Sequence, residues 1–251
     1  MRSMFKSVIS KTFVAGLGLS ALVLASSASA SVVVTGTRVI YPGDVREKTV
    51  QLSNEDDHPN VVQAWVDTNN PNSTPNDADA PFVVTPPMFR MEPKAGQSLR
   101  IVFTGQGLPQ DRESVYYLNV LQIPPRNEAY KEQNQMLVLL RNRMKLFYRP
   151  SGIVGKPADV ADQLRFSLAQ GANGWHVNVD NPTGYYASFN GASVSVGGRE
   201  LSLKADMVAP KSQGSWQLDK AGSLPAGAAS VRAVLVNDYG AQIEIKQELK
   251  R

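Results

Sequence analysis

Gln135-Met-Leu-Val-Leu-Leu-Arg-Asn-Arg-Met-Lys-Leu-Phe-Tyr-Arg-Pro150 reads as one long strand whose first half is apolar on both faces. Strand side chains alternate with period two, so Met136, Val138 and Leu140 share one face and Leu137 and Leu139 share the other. A strand with one face in water alternates apolar and polar residues instead. Two readings follow. The segment is buried on both sides, as a central strand or, since short apolar runs are ambiguous, a helix. Or one face serves the protein's own core and the other serves a partner.

Upstream, the first thirty residues stand apart. Arg2, Lys6 and Lys11 precede an apolar run over 13–25 that is too short to span a bilayer comfortably. Ala28-Ser-Ala30 puts small residues where a signal peptidase cuts. Residues 1–30 are therefore expected to be a secretory signal peptide, with Ser31 as the new N-terminus and no membrane span after cleavage. Removing the three cations of that segment, which holds no acid, lowers the net charge from +4 to +1. Net charge thus gives no support to a nucleic-acid partner. The 251 residues suffice for one large domain or two of ordinary size. There is no cysteine, which excludes thiol catalysis and cysteine-ligated metal, and in an exported chain implies a core large enough without disulfides. His58 and His176 are the only histidines, too few for a histidine-rich metal site. No nucleophile or acid–base constellation appears, so no enzyme activity, cofactor or metal is expected; Asp56-Asp57 sits in a turn.

From residue 32 onward, short alternating or β-branched runs are separated by turn residues. Strands are expected at 32–40, 47–53, 61–67, 82–85, 98–104 and 116–123, before a long polar loop at 124–134 and the stretch already quoted. Thr68 to Pro81 is rich in Asn, Asp, Pro and Thr and reads as a loop. About seven strands in roughly 120 residues is the count of an immunoglobulin-like sandwich, and Trp65 on its third strand is where such folds often bury a Trp. Residues 150–157 break the pattern. Beyond them strands are expected at 164–169, 175–179, 186–196, 200–203, 214–218, 230–237 and 242–248. The fold expected is all-β: two immunoglobulin-like sandwiches joined at an elbow, the first over 31–149 and the second over 150–251.

Five segments carry a resemblance. They are Thr37-Arg-Val-Ile-Tyr-Pro-Gly43; Gln63-Ala-Trp65 with Thr85-Pro-Pro87; Leu108-Pro-Gln-Asp-Arg-Glu-Ser114 running to Tyr117-Leu-Asn119 and Ile123-Pro-Pro-Arg126; Lys145-Leu-Phe-Tyr-Arg-Pro150; and Val236-Asn-Asp-Tyr-Gly240. In order and spacing they resemble the periplasmic pilus-assembly chaperones of the PapD-like, chaperone–usher family, across the whole chain after residue 30. The resemblance implies an ATP-independent periplasmic chaperone. It would capture pilus subunits one to one by donor-strand complementation and carry them to an outer-membrane usher. The alternative is a structural or adhesive pilus protein of immunoglobulin-like modules; such subunits usually have a disulfide and a polymerising N-terminal arm, and this chain has neither.

Site roles come with the resemblance. Met136, Val138 and Leu140 would fill the groove of an unfinished subunit, leaving Leu137 and Leu139 for the protein's own core. Arg38 and Lys145 would hold the subunit's C-terminal carboxylate, the Arg through two parallel N–H bonds and the Lys as a compact charge. Glu113, Arg149 and Asp238 would form an interdomain ion triad that sets the elbow angle. One tension stands: Lys145 is odd in number and the donor residues even, so a bulge must intervene or the two sites face different ways.

Overall fold

A computed structural model describes residues 31–126, 132–171, 174–218 and 227–249. The signal peptide expected over 1–30 and part of the loop expected over 124–134 lie outside them. Before Pro150 the described strands are β1 (Val32–Val34), β2 (Arg38–Pro42), β3 (Lys48–Asn54), β4 (Asn60–Asp67), β5 (Phe82–Thr85), β6 (Met88–Met91), β7 (Gly96–Phe103), β8 (Ser114–Ile123) and β9 (Leu140–Arg149). They build two facing sheets, ordered β1-β3-β7-β5 and β2-β9-β8-β4-β6. After a short helical turn come β10 (Arg165–Gly171), β11 (Gly174–Asn181), β12 (Phe189–Val196), β13 (Arg199–Leu203), β14 (Ser212–Gln217), β15 (Ala229–Val236) and β16 (Gln242–Leu249). These form sheets ordered β10-β11-β14 and β13-β12-β15-β16. Each pair of sheets encloses its own core, one around Leu99, Ile101, Leu118 and Leu146, the other around Val177, Val179, Val194 and Trp216. The fold is all-β, in two sandwiches.

The single strand expected at 32–40 divides at Gly36, whose φ of +94° is a left-handed conformation that favours glycine. The bend lets the chain change sheets: β1 pairs with β3 in one, and β2 pairs with β9 in the other. The short β6 was not expected; it pairs with β4 immediately after Pro86-Pro87.

Trp65 is buried, but outside the sandwich core. The core row of β4 is Val62, Ala64 and Val66. Trp65 points to the opposite face, where its Nε1 donates to Ser73 Oγ at 2.9 Å. Polar groups explain why a Trp can hide there. Asp67, fully buried, accepts Ser73 Oγ (2.9 Å), Asn119 Nδ2 (2.6 Å), Arg143 Nη2 (2.7 Å) and the backbone N–H groups of Asn69 (2.7 Å) and Asn70 (2.9 Å). The Arg143 guanidinium also stacks 3.7 Å from the Tyr117 ring centre.

β9 is shorter than expected at its start. Its antiparallel register with β8 runs from Ser114↔Tyr148 to Gln122↔Leu140 without a shift. β8 then ends at Ile123, before Pro124 and Pro125, which have no N–H to donate. Among the described residues, 135–139 therefore have no ladder, and the expected strand over 135–150 begins instead at Leu140. Within β9, Met144, Leu146 and Tyr148 face the first core.

Burial opposes ionisation of Asp67, but the hydrogen bonds from Arg143, Asn119, Asn69 and Ser73 outweigh it and hold the carboxyl at about 2, against an ordinary 3.8. Between these values the unfolded chain binds the extra proton and the folded chain does not. The stabilisation is complete above about pH 4 and is lost as pH falls through about 2. Denaturant unfolding across this window is expected to show a loss of roughly 2 kcal/mol that Asp67→Asn removes. An unchanged pH profile in the variant would contradict the assignment.

Candidate functional site

β2 runs parallel to β9 in the register Arg38↔Lys145 through Pro42↔Arg149. Arg38 and Lys145 are therefore side-by-side partners on adjacent strands, on the face of the sheet away from the first core. Both are half-buried, and among the described residues neither has an ion pair. Arg38 donates from Nη1 to Val236 O at 2.8 Å, while its Nε is buried without an acceptor. Burial lowers the Arg38 pKa against the raising influence of Asp238 and Glu113. Burial and then the neighbouring Arg38 charge lower that of Lys145, with Asp206 opposing. Two cations that disfavour each other, without a bound acid, suit a carboxylate ligand. Arg38 also lines a cavity of about 360 Å³ between the sandwiches, with Phe147, Tyr186, Leu235 and Ile243 among its walls.

The expected triad residues are brought together. Arg149 Nε donates to Glu113 Oε1 at 2.7 Å, and its Nη1 and Nη2 donate to Asp238 at 2.7 and 2.9 Å. The other Glu113 oxygen accepts the Tyr186 backbone N–H at 2.7 Å, and the Glu113 N–H donates to Gly184 O at 2.8 Å. The carboxylate thus ties the first sandwich to a turn of the second. That turn needs a glycine: a Cβ on Gly184 would stand 2.5 Å from Ile153 Cγ2 and 2.9 Å from Asp111 O. Burial raises the Glu113 pKa in spite of Arg149 and the Tyr186 N–H. Arg149 is itself partly buried, but Asp238 and Glu113 more than offset that and favour its charged form. Phe147 completes the junction against Tyr186, ring centres 5.6 Å apart.

The apolar stretch before β9 departs from expectation. Met136, Leu137, Val138, Leu139 and Leu140 are all exposed, from 42% at Leu137 to 89% at Met136. Leu137 and Leu139, expected in the protein's own core, are not there, because among the described residues no strand lies opposite them. Nor does one face of the strand serve the core and the other a partner. The even row that contains Tyr148, Leu146 and Met144 in the core continues through Asn142 to Leu140. Asn142 marks the rim, its Nδ2 reaching Val32 O on β1 at 3.3 Å. With no register shift in β9, Lys145 lies on the opposite face from this row, and no bulge reconciles them.

One feature was not visible in the sequence. β2 covers the edge of β9 only from Lys145 to Arg149. Among the described residues, no strand pairs with that edge from Leu140 to Met144. No expected pattern marked where β2 would begin relative to β9, since register is set by three-dimensional pairing. Among the described residues there is no cluster of acids and histidines able to hold a metal, and no helix long and apolar enough to cross a membrane.

Residues 31–154 match the family described as pili and flagellar-assembly chaperone, PapD N-terminal domain, and residues 159–247 match the pili assembly chaperone PapD, C-terminal domain. The chaperone protein HifB of Haemophilus influenzae is 43% identical over 224 residues, 88% of each chain. The probable fimbrial chaperone YadV of Escherichia coli K12 is 36% identical over 229 residues, 90% of this chain and 93% of that one. A crystal structure of YadV covers 88% of this chain and 100% of its own, with a TM-score of 0.75. The SafB chaperone of Salmonella enterica, solved in complex with the SafA pilin, is 28% identical with a TM-score of 0.71; the match covers 89% of this chain and 99% of that one.

Removing one partner from a buried ion cluster leaves a charge without compensation. Arg149→Ala is expected to cost about 3 kcal/mol in denaturant unfolding. A loss under about 0.5 kcal/mol, the scale of an exposed pair, would contradict the reading of Glu113 as a buried, Arg-dependent carboxylate.

Proposed function

The chain belongs to the PapD family of pilus-assembly chaperones, and from that premise we propose that it captures pilus subunits one at a time by lending them the start of β9. The observation that carries this reading is that the free edge of β9 ends where Arg38 and Lys145 meet. A subunit strand laid on that edge occupies the line that β2 continues. If it runs parallel to β9, as β2 does, its C-terminus arrives at Arg38 and its carboxylate meets both cations. In the antiparallel sense an ammonium group would arrive there and be repelled. The two cations therefore select the direction of the incoming strand as well as its end.

Met136, Val138 and Leu140 supply the greasy half of the interaction. Added to an incomplete sheet, the segment 136–140 would extend the ladder of β9. Its even side chains would then enter the subunit's open core just as Met144, Leu146 and Tyr148 enter the chaperone's own. At about 1.5–3 kcal/mol for each fully buried side chain, the three contribute roughly 5–9 kcal/mol before ordering costs. Exposure of five consecutive apolar residues is otherwise an aggregation liability, and an obligatory partner accounts for it. The surfaces are spread along the strand: Leu140 and Lys145 are about 17 Å apart.

Glu113, Arg149 and Asp238 act structurally in this reading, holding the sandwiches at the angle that keeps the cleft beside Arg38 open. Export through a signal at residues 1–30 would place the chaperone in the periplasm, and delivery to an outer-membrane usher would follow capture.

Purified chain mixed with a pilus subunit diluted from denaturant is expected to give a 1:1 complex by size-exclusion chromatography. Arg38→Ala and Lys145→Ala should each abolish it while leaving the unfolding midpoint in place. Normal complexes from both variants would remove the carboxylate clamp. Val138→Glu should block capture as well, and an intact complex with that variant would remove strand donation.

A further inference from the structure

Two arginines on β9 have no part in the clamp, the triad or the donated row. Arg141 and Arg143 share the face of Lys145; Arg143 reaches Asp67 at the end of β4, and Arg141 reaches the segment between β4 and β5. Arg143 is held by Asp67 at 2.7 Å. Arg141 is itself exposed, yet its guanidinium grips backbone of that segment at two points, donating to Ser73 O at 3.2 Å and to Pro71 O. The segment is built to be gripped. Asp67 caps the N–H groups of Asn69 and Asn70, with Asn69 in a left-handed conformation at φ +103°. The Asp79 side chain accepts the Thr68 N–H and hydroxyl, that of Asp77 accepts those of Thr74, and Ser73 is buried under Trp65 Nε1. A loop tied to itself at this many points is a stiff body, not a tether.

We propose that residues 67–79 form a brace that positions the donated segment, with Arg141 as its positioning residue. The inference rests on the reading of β9 as a donor strand. Its geometry is specific to that role. Arg141 is adjacent to Leu140, the first residue of β9 and the first with a strand partner, so the exposed segment 136–139 leaves from the point the brace holds. The grip lies on the odd face, so it leaves the even row and the free edge open to a subunit. Without it, Leu140, from which the donated segment departs, is held only by the ladder to β8. Fixing the departure direction in the free protein removes part of the ordering cost of capture, so the brace acts on affinity and leaves overall stability nearly untouched.

The test uses the full chain and a pilus subunit from the same gene cluster, unfolded in guanidinium chloride and diluted into the chaperone. Arg141→Ala is expected to weaken the complex about tenfold, the scale of the ordering cost that the brace removes in advance. Its thermal midpoint is expected to stay within about 2 °C of the parent, as for an exposed side chain. Arg141→Lys keeps the charge but cannot span both carbonyls, and should fall with the Ala variant. Parental affinity in Arg141→Ala would overturn the brace. So would parental affinity in Arg141→Lys, which would reduce the effect to charge. Val138→Glu run in parallel separates the two levels. If it blocks capture while Arg141→Ala does not, the brace fails alone. If Val138→Glu captures normally, the donor reading fails and takes the brace with it.

Discussion

The structure turns on how much of β9 is paired. Among the described residues it has a strand on each side from Lys145 to Tyr148, only β8 from Leu140 to Met144, and neither before Leu140. Backbone N–H and C=O groups are obligatory hydrogen-bonding groups, so the steps of this staircase differ in how far neighbouring strands satisfy the backbone. Its most satisfied end is buried with the first core and the junction. Its least satisfied end carries the five exposed apolar residues. A partner that offers a strand and an open core satisfies both needs together, and nothing smaller than a strand would.

The step in the staircase also explains where the charges stand. β2 begins at Arg38, so the first uncovered position of β9 lies next to a guanidinium and an ammonium that burial has made reluctant to be charged. Such a pair of like charges is mutually unfavourable, and a nearby anion would relieve it. The nearby Arg149 behaves in the opposite way. Its two carboxylate partners, Glu113 and Asp238, come from the two sandwiches and satisfy it fully. Two arginines a few residues apart in space thus divide the work: one is closed by internal acids and holds the junction, the other is left open to the cleft.

Much of this was legible in the sequence, for physical reasons. Alternating runs and turn clusters marked most strands, because one face of each strand must be apolar. A chain with no cysteine and two histidines has no thiol chemistry and too few imidazoles for a histidine-rich metal site. The pairing of Glu113, Arg149 and Asp238, 36 and 89 residues apart, came from the family resemblance, since no local pattern could supply it. Other features were misread or hidden. Leu137 and Leu139 looked like core because periodicity reports apolar faces and not what lies opposite them. Trp65 looked like a core tryptophan because the polar nest of Asp67, Ser73 and Asn119 that shelters it is assembled from three segments. The parity conflict at Lys145 needed no bulge: Lys145 and the row from Leu140 to Tyr148 lie on opposite faces of one regular strand.

The central claim is that residues 136–144 become the middle of a sheet when a subunit binds. Residue-resolved amide hydrogen exchange on the free chain and on the chain bound to a pilus subunit measures this directly. The account predicts fast exchange over 136–139 in the free protein. In the complex it predicts strong protection over 136–144, confined to the N–H groups that face the uncovered edge. Protection that appears elsewhere in the chain while 136–144 exchange as before would contradict it.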